Sequence, residues 1–541
     1  MPYVSTELPS RSSFTLFGKL LCIATLVFTL FGAKVFFVRN FGSVVPYWDQ
    51  WDGEADLLYK SYMNSTLSFA KLLSSHNEHR ILTARVFSLA LFELDGGWDP
   101  ILQMIANALL HVGAVVLLVL IVQRILRPRQ LLLLILFSMV VFALPIGWEN
   151  LLVGFQSQFY FLLIFSLLAL MGFAVSPALS FGWWLSFLST IAAYFSMASG
   201  ALTTATAFTV VAVQLLFGIR KGLREIVAAG LLLATSVIMV LFITDVVGHH
   251  VYQAHSLLEL IKAFLRCMAF PLSHPMAALL INLPLMLYGC FVLIARPARQ
   301  SPHWIILGVV IWIAGQALSL SFGRAVLVGS PRYLDIIILT LPLNFGVLMF
   351  AQNRVLGAEK QVGALVSVLV WLALVIPALV SHALQSSIPG VIVKSAQGVE
   401  QRTNVVEYLK SRNIAVLQGK QSQAIPYPDP ERLASLLSDP VVRLILPSPI
   451  RPIDIDEKEL LNRTILKGKL RSVINRIELA VLKYAQLIFG IGIALAFVAG
   501  LLQERLSSIA TRNESVAIDA RPDAYRIFRG RIGQIEKLTG R

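Results

Sequence analysis

The chain has 541 residues, of which 57% are hydrophobic and 14% charged, and its mean hydropathy is +0.74. A soluble globular protein has no use for that much apolar surface, so the composition places the chain among integral membrane proteins. The formal net charge of +15 does not point to nucleic acid, because the basic residues fall mainly in short loops between apolar spans, where they set orientation.

The first apolar stretch, near 14–38, is too long for a signal-peptide core and lacks an A-x-A cleavage site. It is expected to stay as an anchor. A spanning helix needs about 20 mainly apolar residues, and on that ruler about twelve spans are expected. They lie near 14–38, 100–122, 131–146, 156–174, 180–197, 202–218, 226–245, 275–295, 304–322, 335–352, 362–383 and 482–502. The third to sixth are crowded, which leaves room for a short or re-entrant helix. Cys22, Cys267 and Cys290 are scattered among these stretches with no CxxC spacing, and read as small core hydrophobes.

With Arg11 and Lys19 inside, the even-numbered spans must end on basic loops. They do: Arg124, Arg127 and Arg129 follow the second, and Arg220, Lys221 and Arg224 the sixth. Arg296 and Arg299 follow the eighth, and Arg354 and Lys360 the tenth. The tail carries Arg505, Arg512, Arg521, Arg526, Arg529 and Arg531. Both termini are therefore expected in the cytoplasm. The chain divides into a membrane core (1–383) whose first outer loop is 39–99, an outer segment (384–481), a last span (482–503) and a basic tail (504–541).

The first outer loop opens with "YWDQWDGEAD", which concentrates Asp49, Asp52, Glu54 and Asp56 beside Trp48 and Trp51. One reading is a carboxylate serving as general base or metal ligand in a cleft at the membrane surface. The other is a hydrated turn whose tryptophans sit in the interface and whose acids cap the next helix. "LLYKSYMNSTLSFAKLL" and "ILTARVFSLALFEL" then show helical apolar spacing, as expected of helices lying along the membrane. Between them, "SHNEHRI" places His76 and His79 three apart around Glu78, on one face if helical. That spacing suits a metal, but no third ligand is obvious; hydrogen bonding to an acceptor or phosphate, or helix capping, is the alternative. Arg80 and Arg85 are candidates for holding an anionic group.

"GWENLLVGFQSQFY" sets Glu149, Asn150, Gln156, Ser157 and Gln158 among aromatics at the next outer boundary. Amides with aromatic faces suit a sugar; interhelical hydrogen bonding explains them equally well. In the third outer segment, 246–274, "LLELIKAFLRCMAF" reads as a surface helix whose Lys262 and Arg266 face lipid headgroups. Asp245, His249, His250 and His255 form a weak metal option beside it. "FGRAVLVGSPRYLD" then carries Arg324 and Arg332 against the positive-inside bias, beside Tyr333. Two guanidiniums there suit a phosphate or, more blandly, lipid headgroups. In 384–481, "VEQRTNVVEYLKSRN" reads as a helix, "IAVLQG" as a short strand, and "ERLASLLSDPVVRLIL" as a helix breaking into an extended run, together a small α/β cap. The Asn462-Arg-Thr464 sequon carries little weight.

Taken together, "YWDQWDGEADLLY", "HNEHRILTARVFSLAL", "GWENLLVGFQSQFYF" and "SPRYLD" in this layout resemble the GT-C superfamily of polytopic glycosyltransferases, which use polyprenyl-phosphate sugars. The resemblance implies an inner-membrane enzyme with a periplasmic active site, an inverting transfer, and a glycan, lipid or protein acceptor. By position it implies Asp49 or Asp52 as the carboxylate that deprotonates or orients the acceptor hydroxyl, with Asp49 favoured. Arg324 or Arg332, with Tyr333, would neutralise the leaving phosphate. Trp48, Glu54, His76, Glu78, His79, Arg80, Glu149, Asn150, Gln156 and Gln158 would line the cleft. No cofactor is required, a divalent cation is left open, and nucleic acid is not expected as a partner. The WWDYG-type motif of oligosaccharyltransferases is missing, which disfavours transfer to peptide asparagine. The rival expectation is a transporter or flippase of a lipid-linked substrate, disfavoured because ionisable residues are scarce inside the spans. A non-catalytic role in envelope assembly is the third.

Overall fold

The computed structural model describes residues 16–355 and 357–519, with side chains described through residue 505. Arg11, Arg521, Arg526, Arg529 and Arg531 lie outside the described residues, as does the side chain of Arg512. Among the described residues every regular element is a helix, and 10 are long and apolar enough to cross a membrane. In lipid a backbone must satisfy its own hydrogen bonds, which leaves an apolar chain of this kind the helix as its solution. The chain is an all-α polytopic membrane protein.

Two of the twelve expected spans are shorter. Gln130–Ala143 and Phe181–Tyr194 have 14 residues each, roughly 21 Å of rise against roughly 30 Å of hydrocarbon. They account for the crowding read between residues 131 and 218. The elements that build the site are α1 (Leu16–Phe41), α2 (Gln50–Lys60), α3 (Leu82–Asp95), α4 (Pro100–Val122), α5 (Trp148–Leu151), α6 (Ser157–Val175) and α7 (Pro331–Ile337). They are completed by α8 (Ala358–His382), α9 (Ile388–Ser411), α10 (Pro430–Ser438) and α11 (Arg471–Lys483). The wide turn Ala383–Ser387 joins α8 to α9 in one helical run, Ala358–Ser411. Pro389, which has no amide to donate, follows that widening.

The outer layer has one core, not two. α2 is wound as a π-helix and buries Trp51, Ala55, Leu58 and Tyr59. These residues join Phe92 and Trp98 from the first loop and Val405, Leu433, Leu437, Val442 and Ile445 from the C-terminal segment. Tyr59 stacks on Phe92 at 4.6 Å, and Trp51 meets Trp98 edge-on at 5.6 Å.

The expected α/β cap is corrected to all-α. Ile414–Val416 of "IAVLQG" is a single 3-10 turn, because a lone short strand has no edge to pair with and Asn413 caps the turn through the Ala415 amide. The expected extended run after α10 is a second short helix, Pro440–Ile445, capped by Asp439. "SHNEHRI" is not helical either. His76 and His79 exchange both backbone hydrogen bonds, at 2.7 and 3.0 Å, around a tight turn in which Asn77 takes a positive φ of 51°.

Candidate functional site

The four acids of the opening motif have different fates. Asp52 accepts from both Nε and a terminal nitrogen of Arg432, at 3.1 and 2.8 Å, and from the Tyr427 hydroxyl. Asp56 takes the same guanidinium at 2.8 Å and Lys60 at 3.2 Å. Together they staple α2 to α10. Glu54 is buried and accepts from Gln50, Ser88, Gln103 and Trp98 at 2.7–3.2 Å. Burial raises its carboxyl despite these four donors. Asp49 stands at the N-cap of α2, but its side chain caps nothing, against the capping alternative for this residue.

Asp49 looks instead onto a cluster of polar side chains, the candidate cleft. His76 Nε2 lies 3.5 Å from its Oδ1, an ion-pair distance rather than a good hydrogen bond. A Cβ at Gly53 would meet the Phe155 ring at 2.9 Å, so glycine there lets that ring, which packs on His76, close against α2. Burial works to raise the Asp49 carboxyl, but His76 and the field of Arg332 outweigh it and hold it below the usual range. Burial pushes the His79 imidazole down to about 4, so it is neutral at pH 7, and its Nδ1 accepts from the Ala198 amide at 3.4 Å.

The far wall comes from α5 and α7. Glu149 accepts from Arg332 Nε at 2.9 Å and from Ser330 at 3.0 Å. Asn150 donates to the Arg332 carbonyl at 2.7 Å and to Asp335 at 2.9 Å. The Arg332 guanidinium lies 6.0 Å from the Tyr333 ring. Arg324 binds Glu78 at 2.7 Å beside His249, itself 2.5 Å from Glu78, and stands over Tyr252. This group adjoins the cleft through His79, which feels Glu78, Arg324, His76 and Asp49 together. Trp48 is part-exposed next to Tyr47, at 5.7 Å. The Phe155 ring packs on His76 at 5.1 Å, and Gln156 next to it accepts from Gln158 at 3.0 Å.

Thus Asp49, His76, His79, Glu149, Asn150 and Arg332 are brought together, with Glu78 and Arg324 beside them. Asp52 and Glu54 are taken up elsewhere. Arg80 donates to the Leu73 carbonyl at 2.9 Å, and Arg85 to the carbonyls of Lys71, Leu72 and Ser74, so both serve the end of a short helix. Among the described residues no group of three or more His, Cys, Asp or Glu side chains is set to hold a metal.

Two features were not read from the sequence. The first is Lys394 on α9. It is 7% exposed, its Nζ has no hydrogen-bond partner, and it sits 2.8 Å from the centroid of the Tyr47 ring. A Cβ at Gly390 would lie 2.8 Å from Trp148; glycine lets α9 close against α5 one turn before the lysine. A lysine in "IPGVIVKSAQ", an otherwise apolar run, was the available signal. The second lies below the cleft. Lys34 of α1, His111 of α4 and Asp335 of α7 line one cavity with Phe142, Trp148 and Leu151. His111 Nε2 is 3.9 Å from Asp335. Ionisable groups are few in the spans, yet three of them converge in this one place.

No family model matches the chain, and no curated protein matches it.

Proposed function

We propose that this chain is an inner-membrane glycosyltransferase that moves a sugar from a polyprenyl-phosphate donor to an envelope glycan, lipid or protein on the periplasmic face. The observation that carries the reading is that one neighbourhood, around Tyr47, holds an acid that caps nothing and a buried amine that has no hydrogen-bond partner. Asp49 offers an ionised carboxylate. Lys394 offers a buried amine without a hydrogen-bond partner, and Arg332 acts on the same Tyr47 ring. A desolvated amine of this kind holds its proton most firmly when an anion arrives beside it, and a lipid phosphate supplies one at headgroup level.

In the proposed reaction the acceptor hydroxyl lies against Asp49, which orients it and takes its proton. The acceptor oxygen bonds to the anomeric carbon as the bond from that carbon to the phosphate oxygen breaks, with inversion. The electron pair leaves with the polyprenyl phosphate, whose gained charge meets Lys394 and Arg332. Because Asp49 is held below the usual carboxylate range, its first contribution is orientation and charge, with proton acceptance late in the step. Purified chain in nanodiscs, given a labelled polyprenyl-phosphate hexose and envelope acceptors, tests this. Transfer is expected, and Asp49→Asn is expected to abolish it; an Asp49→Asn protein that transfers at the native rate sinks the assignment.

One observation favours a second reading, transport of a lipid-linked substrate: Lys34, His111 and Asp335 converge inside the spans, where charge is otherwise rare. Liposomes separate the two, since transport moves the intact lipid across the bilayer and transfer leaves a glycosylated acceptor.

A further inference from the structure

The polar groups beneath the cleft are organised around one carboxylate. Asp335 is buried in the first turns of the span Pro331–Arg354, and four donors from four other helices face it. Asn150 of α5 donates to it at 2.9 Å. His111 of α4 stands 3.9 Å away. The Tyr160 hydroxyl of α6 points at it, with the Tyr160 ring stacked on His111 at 4.8 Å. Lys34 of α1 lines the same cavity. Lys34 and His111 are 6% and 3% exposed, and both ring nitrogens of His111 and the Tyr160 oxygen are without direct hydrogen-bond partners. Polar groups at this depth persist only when they find partners, and here polar side chains from five helices gather at a single carboxylate.

Asp335 is also one turn beyond Arg332 on the same short helix. Asn150 bonds both the Arg332 carbonyl and the Asp335 carboxylate, while its neighbour Glu149 holds the Arg332 guanidinium. The position of α7 is thus fixed from below by Asp335 and from the side by α5. We propose that Asp335, with Lys34 and His111, is a buried polar lock that positions Arg332 in the cleft. Asp335 is a positioning residue: it touches no substrate and acts through the guanidinium one turn away. The inference rests on the proposed function for what Arg332 binds, but not for the lock itself.

Two readouts on the full chain in nanodiscs keep those parts separate. Hydrogen exchange of segments 147–151 and 330–337 reads the lock without any ligand. Asp335→Asn keeps the shape and loses the charge, and it is expected to lower protection in both segments. Lys34→Gln, which removes the other end, is expected to do the same. Unchanged protection in a folded variant overturns the lock. Farnesyl phosphate binding reads the positioning. Asp335→Asn is expected to weaken it about tenfold, the order of one charge-assisted contact, and to weaken it far less in an Arg332→Gln background, since an effect exerted through Arg332 has nothing left to act on. An equal loss in both backgrounds overturns the positioning role. Arg332→Gln protein that binds like wild type overturns the phosphate reading of the cleft, whereas exchange still judges the lock. A proton- or substrate-transport role for these three residues would instead appear as flux in liposomes that Lys34→Gln abolishes while protection is unchanged.

Discussion

Glu54 and Lys394 are both ionisable and both buried, yet their surroundings are opposite. Glu54 is closed in by four donors, and every one of them belongs to the shared core of the outer layer or its rim. Lys394 has an aromatic face and no acceptor. A buried polar network that is fully satisfied fixes a structure; one left open stores a cost that an incoming group removes. On that difference the run "YWDQWDGEAD" divides. Glu54, Asp52 and Asp56 build the outer layer, and Asp49 alone looks toward the unsatisfied side.

The contrast is broken most directly at Lys394. Lys394→Met is expected to reduce sugar transfer by on the order of 10²–10³-fold, as when one donor to a developing oxyanion is removed. The same change is expected to leave the melting temperature unchanged or slightly raised, because a buried unpaired amine gives way to a chain of similar shape. A large loss of thermal stability in detergent together with lost transfer would put Lys394 in the class of Glu54. At Glu54 the signs reverse. Glu54→Ala strands the donors of Gln50, Ser88, Gln103 and Trp98 and is expected to cost about 2–3 kcal/mol of stability, read as a fall in melting temperature. Whatever folded protein remains is expected to transfer at close to the native rate.

Asp52 sharpens the comparison with a smaller effect. Its contacts with Arg432 and Tyr427 are part-exposed, and exposed ion pairs contribute under about 1 kcal/mol. Asp52→Asn is therefore expected to change transfer by less than about threefold in steady-state assays, set against near-complete loss for Asp49→Asn. Equal losses in the two variants would mean that the staple to α10, and not the open cleft, is where the acceptor lies.

Period and length made most of this fold legible. Lengths of apolar chain located the spans, and 3.6-residue spacing located α3 and the helix Leu257–Met268. What pairs with what was not legible. Asp49 and Asp52 are three residues apart in one motif, and only the arrival of Arg432, 380 positions on, separates their roles. Turn chemistry was misread at His76–His79, where the pattern alone does not show Asn77 in a positive-φ conformation. The strand expected at "IAVLQG" rested on local composition, and pairing partners, not composition, decide whether a strand exists. Lys34, His111 and Lys394 each looked like a lone polar residue in an apolar run. Single buried charges in such runs carry the signal for a site, but their convergence belongs to the packing.

A third cluster tests whether unsatisfied polarity, rather than burial or a perturbed carboxyl, is what marks the site. Asp95, Asp99 and Glu478 meet where α11 docks on the end of α3, with Arg471, Arg451 and Glu457 around them. Burial and the neighbouring Asp99 push the Glu478 carboxyl up to about 8, and burial with Asp99 pushes Asp95 up to about 6. Glu478 hydrogen-bonds Asp99, so those two acids share a proton, and Asp99 also accepts from the Ile101 and Leu102 amides. The folded state then keeps protons that the unfolded chain releases from the ordinary glutamate value of 4.5 upward. Stability falls wherever the native state binds more protons. The contribution of this cluster is therefore full below the ordinary carboxylate range and is lost as pH rises toward about 8. The melting temperature is expected to decline modestly across that window, and Glu478→Gln, which keeps the hydrogen bond without the titration, is expected to flatten the decline. Transfer measured at fixed pH is expected to be the same in Glu478→Gln and wild type, because the cluster is closed. If Glu478→Gln removes transfer while leaving the melting curve alone, a satisfied cluster has behaved as an open one, and the distinction drawn between Glu54 and Lys394 no longer locates the site.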